Sequence, residues 1–138
     1  MLVSTLVMLL AQPVASAQTP ESASGSQSTF TETDCPTPLP ESLVEGDNAS
    51  CGTVYVPAFH DDPDGAEFTL SVTVLESTSD TPAAEPLVIL TGGPGQASAA
   101  VLPLFSDDAP LYRPLLERQD VILFDQRGTG FSEPALTC

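Results

Sequence analysis

The first half of the chain alternates apolar and polar positions, which predicts two strands that each bury one face. Residues 52–57 (GTVYVP) alternate and end in a proline, as strands near a sheet edge do. Residues 60–65 (HDDPDG) combine a proline with a glycine, which is typical of a turn. After this turn, every second position is apolar, at Phe68, Leu70, Val72 and Val74. We therefore predict an antiparallel hairpin.

The second half contains uninterrupted apolar runs at residues 87–90 (LVIL) and 121–124 (VILF). Continuous runs suit strands of a parallel sheet that are covered on both faces. Between them, Leu111, Leu115 and Leu116 recur at helical spacing. The order strand, loop, helix, strand predicts a crossover onto a parallel neighbour. The predicted fold class is α/β, with an antiparallel hairpin that leads into a βαβ unit of a mostly parallel sheet.

The N-terminus has the pattern of an exported protein. Residues 1–17 place a short apolar run before Ala15-Ser16-Ala17, a small-residue cleavage site, and so predict a signal peptide. The run is too short for a stable membrane span. Residues 18–34, rich in Ser, Thr and Glu, predict a disordered linker, and residues 35–138 the folded domain. We expect a secreted or extracytoplasmic protein.

The charge balance narrows the possible partners. The chain has 19 acidic and three basic residues, no lysine, and a net charge of −16. This charge repels phosphate backbones and anionic lipid head groups, so we expect neither nucleic-acid binding nor electrostatic membrane binding. A solvated acidic surface and an adaptation to high salt both fit the composition.

The three cysteines fit export better than metal binding. Cys35 and Cys51 lie 16 positions apart, and in an exported protein we expect them to form a disulfide; two unlinked thiols are the alternative. Three cysteines at these spacings with one distant histidine match no zinc pattern, so no metal is predicted. Cys138 is the odd cysteine, and we expect it to pair with a downstream cysteine.

Two loops follow the two apolar runs, at the strand ends where open α/β sheets bind ligands. They comprise residues 91–96 (TGGPGQ) and 125–132 (DQRGTGFS). A phosphate-binding P-loop needs a lysine, which the chain lacks, and a dinucleotide fingerprint read from Gly128 meets Glu133 where its third glycine should stand. Nucleotide cofactors are therefore excluded, and no other cofactor is implied.

The glycines of the first loop suit a backbone that approaches a ligand. Gly92 and Gly93 permit torsions that a side chain would forbid, whereas Pro94 stiffens the loop without offering an N–H. Such amides can stabilise a developing oxyanion in acyl transfer. A tight turn without any ligand is the alternative interpretation.

The two loop motifs together resemble a known family. "LVILTGGPGQASA" followed by "DVILFDQRGTGFSEPALTC" resembles the front of an α/β-hydrolase of the proline iminopeptidase and tripeptidyl aminopeptidase (TAP-like) type. The resemblance is strongest to its exported bacterial branch, with an early cysteine pair around a "CGTVYVP" strand, and it covers residues 35–138. Family members commonly carry a histidine before GGPG, where this chain has Thr91.

The resemblance implies the N-terminal part of an α/β-hydrolase fold, incomplete in this chain. It also implies that the Gly92-Gly93 segment supplies a backbone N–H to the oxyanion hole, with Gly93 the better candidate. The other active-site loop positions carried over are Thr91, Pro94, Gly95, Asp125, Arg127, Gly128 and Gly130. For Asp125 and Arg127 we favour an internal ion pair or a capping contact that fixes the loop over direct substrate contact.

The residues that would perform catalysis are not found in this sequence. In an α/β-hydrolase, the nucleophile lies in a G-x-S-x-G elbow, and an acid and a histidine follow it. Residues 130–134 (GFSEP) end in proline, and the single histidine, His60, lies in the predicted hairpin turn. A serine without a base is a poor nucleophile, so we expect this chain alone to be inactive.

The resemblance therefore predicts a fragment of a secreted serine hydrolase. We expect it to be an aminopeptidase that acts on a peptide, or on a small acyl or amide substrate, with a Ser-Asp-His triad located beyond this chain. A non-catalytic exported binding module and a truncated relic are the alternatives.

Overall fold

A mixed sheet organises the part of the chain that the structure describes. The structure is a computed structural model, and it describes residues 28–93, 95–108 and 111–136. The five strands have the spatial order β1-β2-β3-β5-β4. They are β1 (Phe30–Thr33), β2 (Ala49–Phe59), β3 (Asp62–Leu75), β4 (Leu87–Ile89) and β5 (Val121–Phe124). This arrangement is compatible with part of an α/β domain.

The predicted hairpin is confirmed, with longer strands and a tighter turn. β2 and β3 pair antiparallel, from Ala49 opposite Leu75 to Phe59 opposite Asp62. Residues 62–65, predicted as part of the turn, belong to β3, so only His60 and Asp61 lie between the strands. The prediction of a six-residue turn was wrong because Asp62 already pairs with Phe59, beyond a shift of register between Pro57 and Phe59.

β1 lies inside the segment that the composition predicts to be a disordered linker. Phe30–Thr33 pairs antiparallel with β2, with Phe30 opposite Val54 and Thr33 opposite Cys51. A strand therefore replaces the predicted linker at this point, because two threonines and a phenylalanine favour extended pairing despite the polar surroundings. The predicted signal peptide at residues 1–17 and linker residues 18–27 lie outside the described residues.

The predicted cysteine pair is present as a disulfide. Cys35 and Cys51 are bonded, with 5.0 Å between their Cα atoms, and Cys51 is buried in β2. The bond therefore joins the segment after β1 to the beginning of β2. Cys138 lies outside the described residues, and its pairing with a downstream cysteine stays a prediction.

The connection between β4 and β5 contains less α-helix than the leucine spacing predicts. β4 and β5 are parallel, with Leu87 opposite Val121, and β5 pairs antiparallel with β3 on its other side. The crossover contains a 3-10 helix (Ser98–Phe105) and a single α-helical turn, α1 (Arg113–Leu116). Pro103 lies inside the 3-10 helix, where the missing N–H opposes longer α-helical bonding. Within the described ranges, no helix has the length and apolarity that a membrane crossing requires.

Only one face of the sheet is covered by the described residues. Leu75, Val121 and Leu123 are fully buried on that face, against Leu102 and Phe105 of the 3-10 helix and Leu116 of α1. The opposite face carries an apolar groove of about 310 Å³, lined by Phe30, Val54, Leu70, Val72, Val74, Ile122 and Phe124.

The prediction that β4 and β5 are covered on both faces was wrong for the described residues. Val88 of β4 remains 47% exposed. An apolar run places residues alternately on the two faces of a sheet, and the 3-10 helix and α1 cover only one of them.

Candidate active site

The two predicted site loops lie side by side at one end of the sheet. We call residues 91–96 the glycine loop and residues 125–132 the second loop. They follow β4 and β5, which are parallel, so both loops leave the sheet at the same edge. A direct contact joins them, because the side-chain amide of Gln126 donates to the backbone carbonyl of Thr91 over 3.1 Å. Gln126 was not among the predicted site residues.

The glycine loop depends on glycine for its backbone conformation and not for lack of space. Gly93 and Gly95 have φ angles of +86° and +84°, which side-chain-bearing residues rarely adopt. A Cβ atom placed at Gly92, Gly93 or Gly95 would meet no other atom within 4 Å. The buried Thr91 hydroxyl donates to the carbonyl of Gln96 over 3.1 Å and so closes the loop. Pro94 lies outside the described residues.

The middle of the glycine loop is open to solvent. Gly92 and Gly93 are exposed. Their amides donate to no group within the described part of the chain. Free N–H groups on a loop that is fixed from its flanks can bind an anionic or carbonyl oxygen.

Asp125 connects the two loops through its carboxylate. The side chain is buried, at 1% exposure. One oxygen accepts from the amide of Ser98 at 2.5 Å, and the other accepts from the amide of Phe131 at 2.7 Å. Ser98 begins the 3-10 helix that follows the glycine loop, and Phe131 belongs to the second loop. Asp125 therefore makes the capping contact that the sequence analysis allowed.

Arg127 points away from Asp125, towards the hairpin. Its guanidinium donates to the carbonyls of Pro57 and Ala58 at 2.9 and 3.0 Å. The same group lies 5.3 Å from the centre of the Phe68 ring, a cation–π distance. The ion pair between Asp125 and Arg127 that the sequence analysis allowed is not formed among the described residues. Arg127 instead anchors the second loop to the end of β2 and the middle of β3.

The two glycines of the second loop are required by both torsion and space. Gly128 and Gly130 have φ angles of +79° and +54°. A Cβ atom at Gly128 would lie 2.9 Å from the Leu136 side chain, and one at Gly130 would overlap the carboxylate of Asp125. The second loop is thus folded closely around Asp125.

Ser132 has a structural role. Its side chain is fully buried, its hydroxyl donates to the carbonyl of Asp125 over 2.7 Å, and it accepts from the amide of Ser71 over 3.0 Å. The first bond closes the second loop on itself, and the second bond ties it to β3. A buried hydroxyl with both functions occupied cannot reach a substrate, which agrees with the mismatch of residues 130–134 to a nucleophile elbow.

We expect Ser132→Ala to lower the free energy of unfolding by about 1–3 kcal/mol, because the Ser71 amide would lose its buried acceptor. Urea unfolding measures this change. Thr129→Ala is the matched control, since the Thr129 hydroxyl donates to Gln126 in the same loop from an exposed position. We expect a loss below about 1 kcal/mol for the control. Equal losses in the two variants would contradict the assigned role of Ser132.

The chain is similar to curated hydrolases over part of its length. The chain is 36% identical to serine protease Hip1 of Mycobacterium tuberculosis over 107 residues, which are 77% of the chain and 19% of that protein. It is 36% identical to carboxylesterase B of the same organism over 94 residues, 65% of the chain and 17% of that protein. These relatives support a hydrolase family.

The matched region spans less than one fifth of the length of these two hydrolases. No family model matches the chain. The similarity to Hip1 and the internal disulfide are consistent with an extracytoplasmic hydrolase. The names of the two relatives suggest serine hydrolase chemistry. One name indicates cleavage of peptide bonds, and the other indicates cleavage of carboxylic esters.

Proposed function

We propose that this chain is the N-terminal part of the catalytic domain of an exported serine hydrolase of the TAP-like type. The observation that carries the proposal is the glycine loop, with two exposed amides that are free among the described residues, beside a second loop that is folded around Asp125. The hydrolase relatives support the same chemistry.

In this proposal the glycine loop provides the oxyanion hole. A serine beyond this chain attacks the substrate carbonyl carbon while a histidine takes its proton, and the carbonyl oxygen gains negative charge. The Gly93 amide donates to that oxygen, and the Gly92 segment sets its direction. One such donor accounts for a factor of about 100 to 1,000 in kcat. The leaving amine takes the proton from histidine, and water then hydrolyses the acyl-enzyme.

The proposed substrate is a peptide with a free N-terminus. This part of the proposal rests on the resemblance of TGGPG and DQRGTGFS to the TAP-like family. A carboxylic ester is the substrate class that the second relative's name suggests. Both substrates pass through the same tetrahedral oxyanion, so the glycine loop serves either reaction.

The test uses the complete gene product and chromogenic substrates. We expect it to release p-nitroaniline from a tripeptidyl p-nitroanilide, to cleave the N-acetylated form much more slowly, and to be inhibited by a serine-directed phosphonate. We expect residues 28–138 alone to have no activity. A folded gene product that cleaves neither amides nor p-nitrophenyl esters would overturn the proposal, and cleavage of esters alone would overturn only the peptidase assignment.

A further inference from the structure

Two consecutive residues of the second loop hold the two ends of the segment that contains the glycine loop. Gln126 donates to the carbonyl of Thr91 at the start of that segment. Asp125 accepts from the amide of Ser98 just past its end. Between these two attachment points, Gly92 and Gly93 make no hydrogen bond to other described residues. The exposed amides of Gly92 and Gly93 therefore lie in a segment whose two ends are each held by a hydrogen bond to the second loop.

The buried carboxylate of Asp125 has an unusual set of hydrogen-bond partners. Among the described residues it accepts backbone amides and has no cationic partner, since Arg127 is bound to the hairpin. Buried carboxylates normally require a compensating cation or several hydrogen bonds. One carboxylate oxygen of Asp125 accepts from the amide of Ser98, just after the glycine loop, and the other accepts from the amide of Phe131 in the second loop. Gly130 of the second loop leaves room for this carboxylate, because any side chain at position 130 would overlap it.

We propose that Asp125, assisted by Gln126, is a positioning residue that sets the direction of the glycine-loop amides by coupling the glycine loop to the second loop. The effect on catalysis rests on the proposed function. The coupling between the two loops does not depend on the proposed function. Asp125 touches no substrate in this scheme. It acts through Ser98 and Phe131.

Asp125→Asn is the most informative variant because it preserves shape. An asparagine offers one acceptor oxygen and one NH₂ group, so it can accept from Ser98 or from Phe131 but not from both. The amide that loses its acceptor would face another donor, so one of the two attachments made by Asp125 would be lost while Gln126 still donates to Thr91. Asp120→Asn is the matched control at the opposite end of β5, where the Asp120 carboxylate accepts from the amide of Ser77 over 2.8 Å.

Hydrogen–deuterium exchange on the complete gene product tests the coupling without any need for activity. In Asp125→Asn we expect amide exchange to accelerate by about tenfold or more at Ser98, at Phe131 or at both, because Asp125 is the acceptor for these two amides. In Asp120→Asn, which keeps one acceptor oxygen for Ser77, we expect wild-type exchange at both positions. Wild-type exchange at both Ser98 and Phe131 in Asp125→Asn, or equal acceleration in Asp120→Asn, would overturn the coupling.

Kinetics test the catalytic consequence. We expect Asp125→Asn to lower kcat by about 10- to 100-fold with KM changed less than about threefold, since only the transition-state oxygen gains from correctly aimed amides. Asp120→Asn should retain the kcat of the wild type. An unchanged kcat in Asp125→Asn, or an equal loss in Asp120→Asn, would overturn the positioning role.

A second variant covers the case in which Asp125→Asn does not fold. Gln126 is exposed, so Gln126→Ala should fold normally while it frees the Thr91 end of the glycine loop. We expect a loss in kcat of about three- to tenfold without a change in KM. A Gln126→Ala enzyme with wild-type kcat would overturn the inference. Inactivity of the wild-type protein would instead count against the proposed function, while the exchange comparison would still decide the coupling.

Discussion

Gly93→Ala should lower the kcat of the complete gene product by about 100-fold, with a smaller change in KM. Gly93 adopts a φ of +86°, and a residue with a Cβ atom pays about 1–2 kcal/mol to remain in that region. The loop can relieve this strain by rotating the Gly93 peptide, since nothing lies within 4 Å of the new methyl group to hold it in place. Rotation would turn the amide away from the substrate oxygen.

The measurement is steady-state hydrolysis of a chromogenic amide, compared with a control that has the same backbone strain elsewhere. Gly46 has a φ of +79° and equally open surroundings, in a turn before β2. Gly46→Ala should therefore cost similar stability and leave kcat unchanged. If Gly93→Ala retained most of the activity, or if both variants lost it equally, the glycine loop would not supply the oxyanion hole.

Removing the disulfide should produce the largest loss of stability, about 3 kcal/mol, because the bond closes a loop of 16 residues in the unfolded chain. The double variant Cys35→Ser with Cys51→Ala avoids placing a hydroxyl at the buried Cys51 position. Guanidinium unfolding at equilibrium measures the change in free energy.

Reduction of the wild type provides the internal control. A reductant should lower the stability of the wild-type protein by more than that of the double variant, because the variant can lose only the predicted bond of Cys138. Equal stability of the wild-type protein and the variant under oxidising conditions would show that the bond does not restrict the unfolded chain. Equal reductant effects on the two proteins would likewise contradict a stabilising role for the Cys35–Cys51 bond.

The strands and loop positions could be predicted because apolar periodicity reports them directly. The alternation from Phe68 to Val74 predicted β3, and the two continuous apolar runs predicted the parallel pair β4 and β5. Since the carboxyl ends of parallel strands share an edge, the proximity of the glycine loop and the second loop followed from the order of elements. The positive φ of Gly93 also agrees with its predicted need for glycine.

The rest could not be predicted because it depends on long-range pairing and on backbone partners. Besides its strand-forming residues, β1 needs the edge that β2 offers, and the composition of residues 18–34 does not reveal that edge. The leucine spacing near α1 predicted a longer helix than the four residues that form it. The amides that Asp125 accepts belong to Ser98 and Phe131, and a backbone amide carries no sequence signal that would identify it as a partner.

The apolar groove, on the sheet face that the described residues leave uncovered, and the acidity of the chain together affect how the isolated chain behaves in solution. A net charge of −16 makes copies repel one another at low ionic strength, so their apolar faces rarely meet. Salt shortens the range of that repulsion from roughly 30 Å at 0.01 M to roughly 3 Å at 1 M, while the attraction between apolar surfaces persists. Added salt should therefore drive these chains to associate.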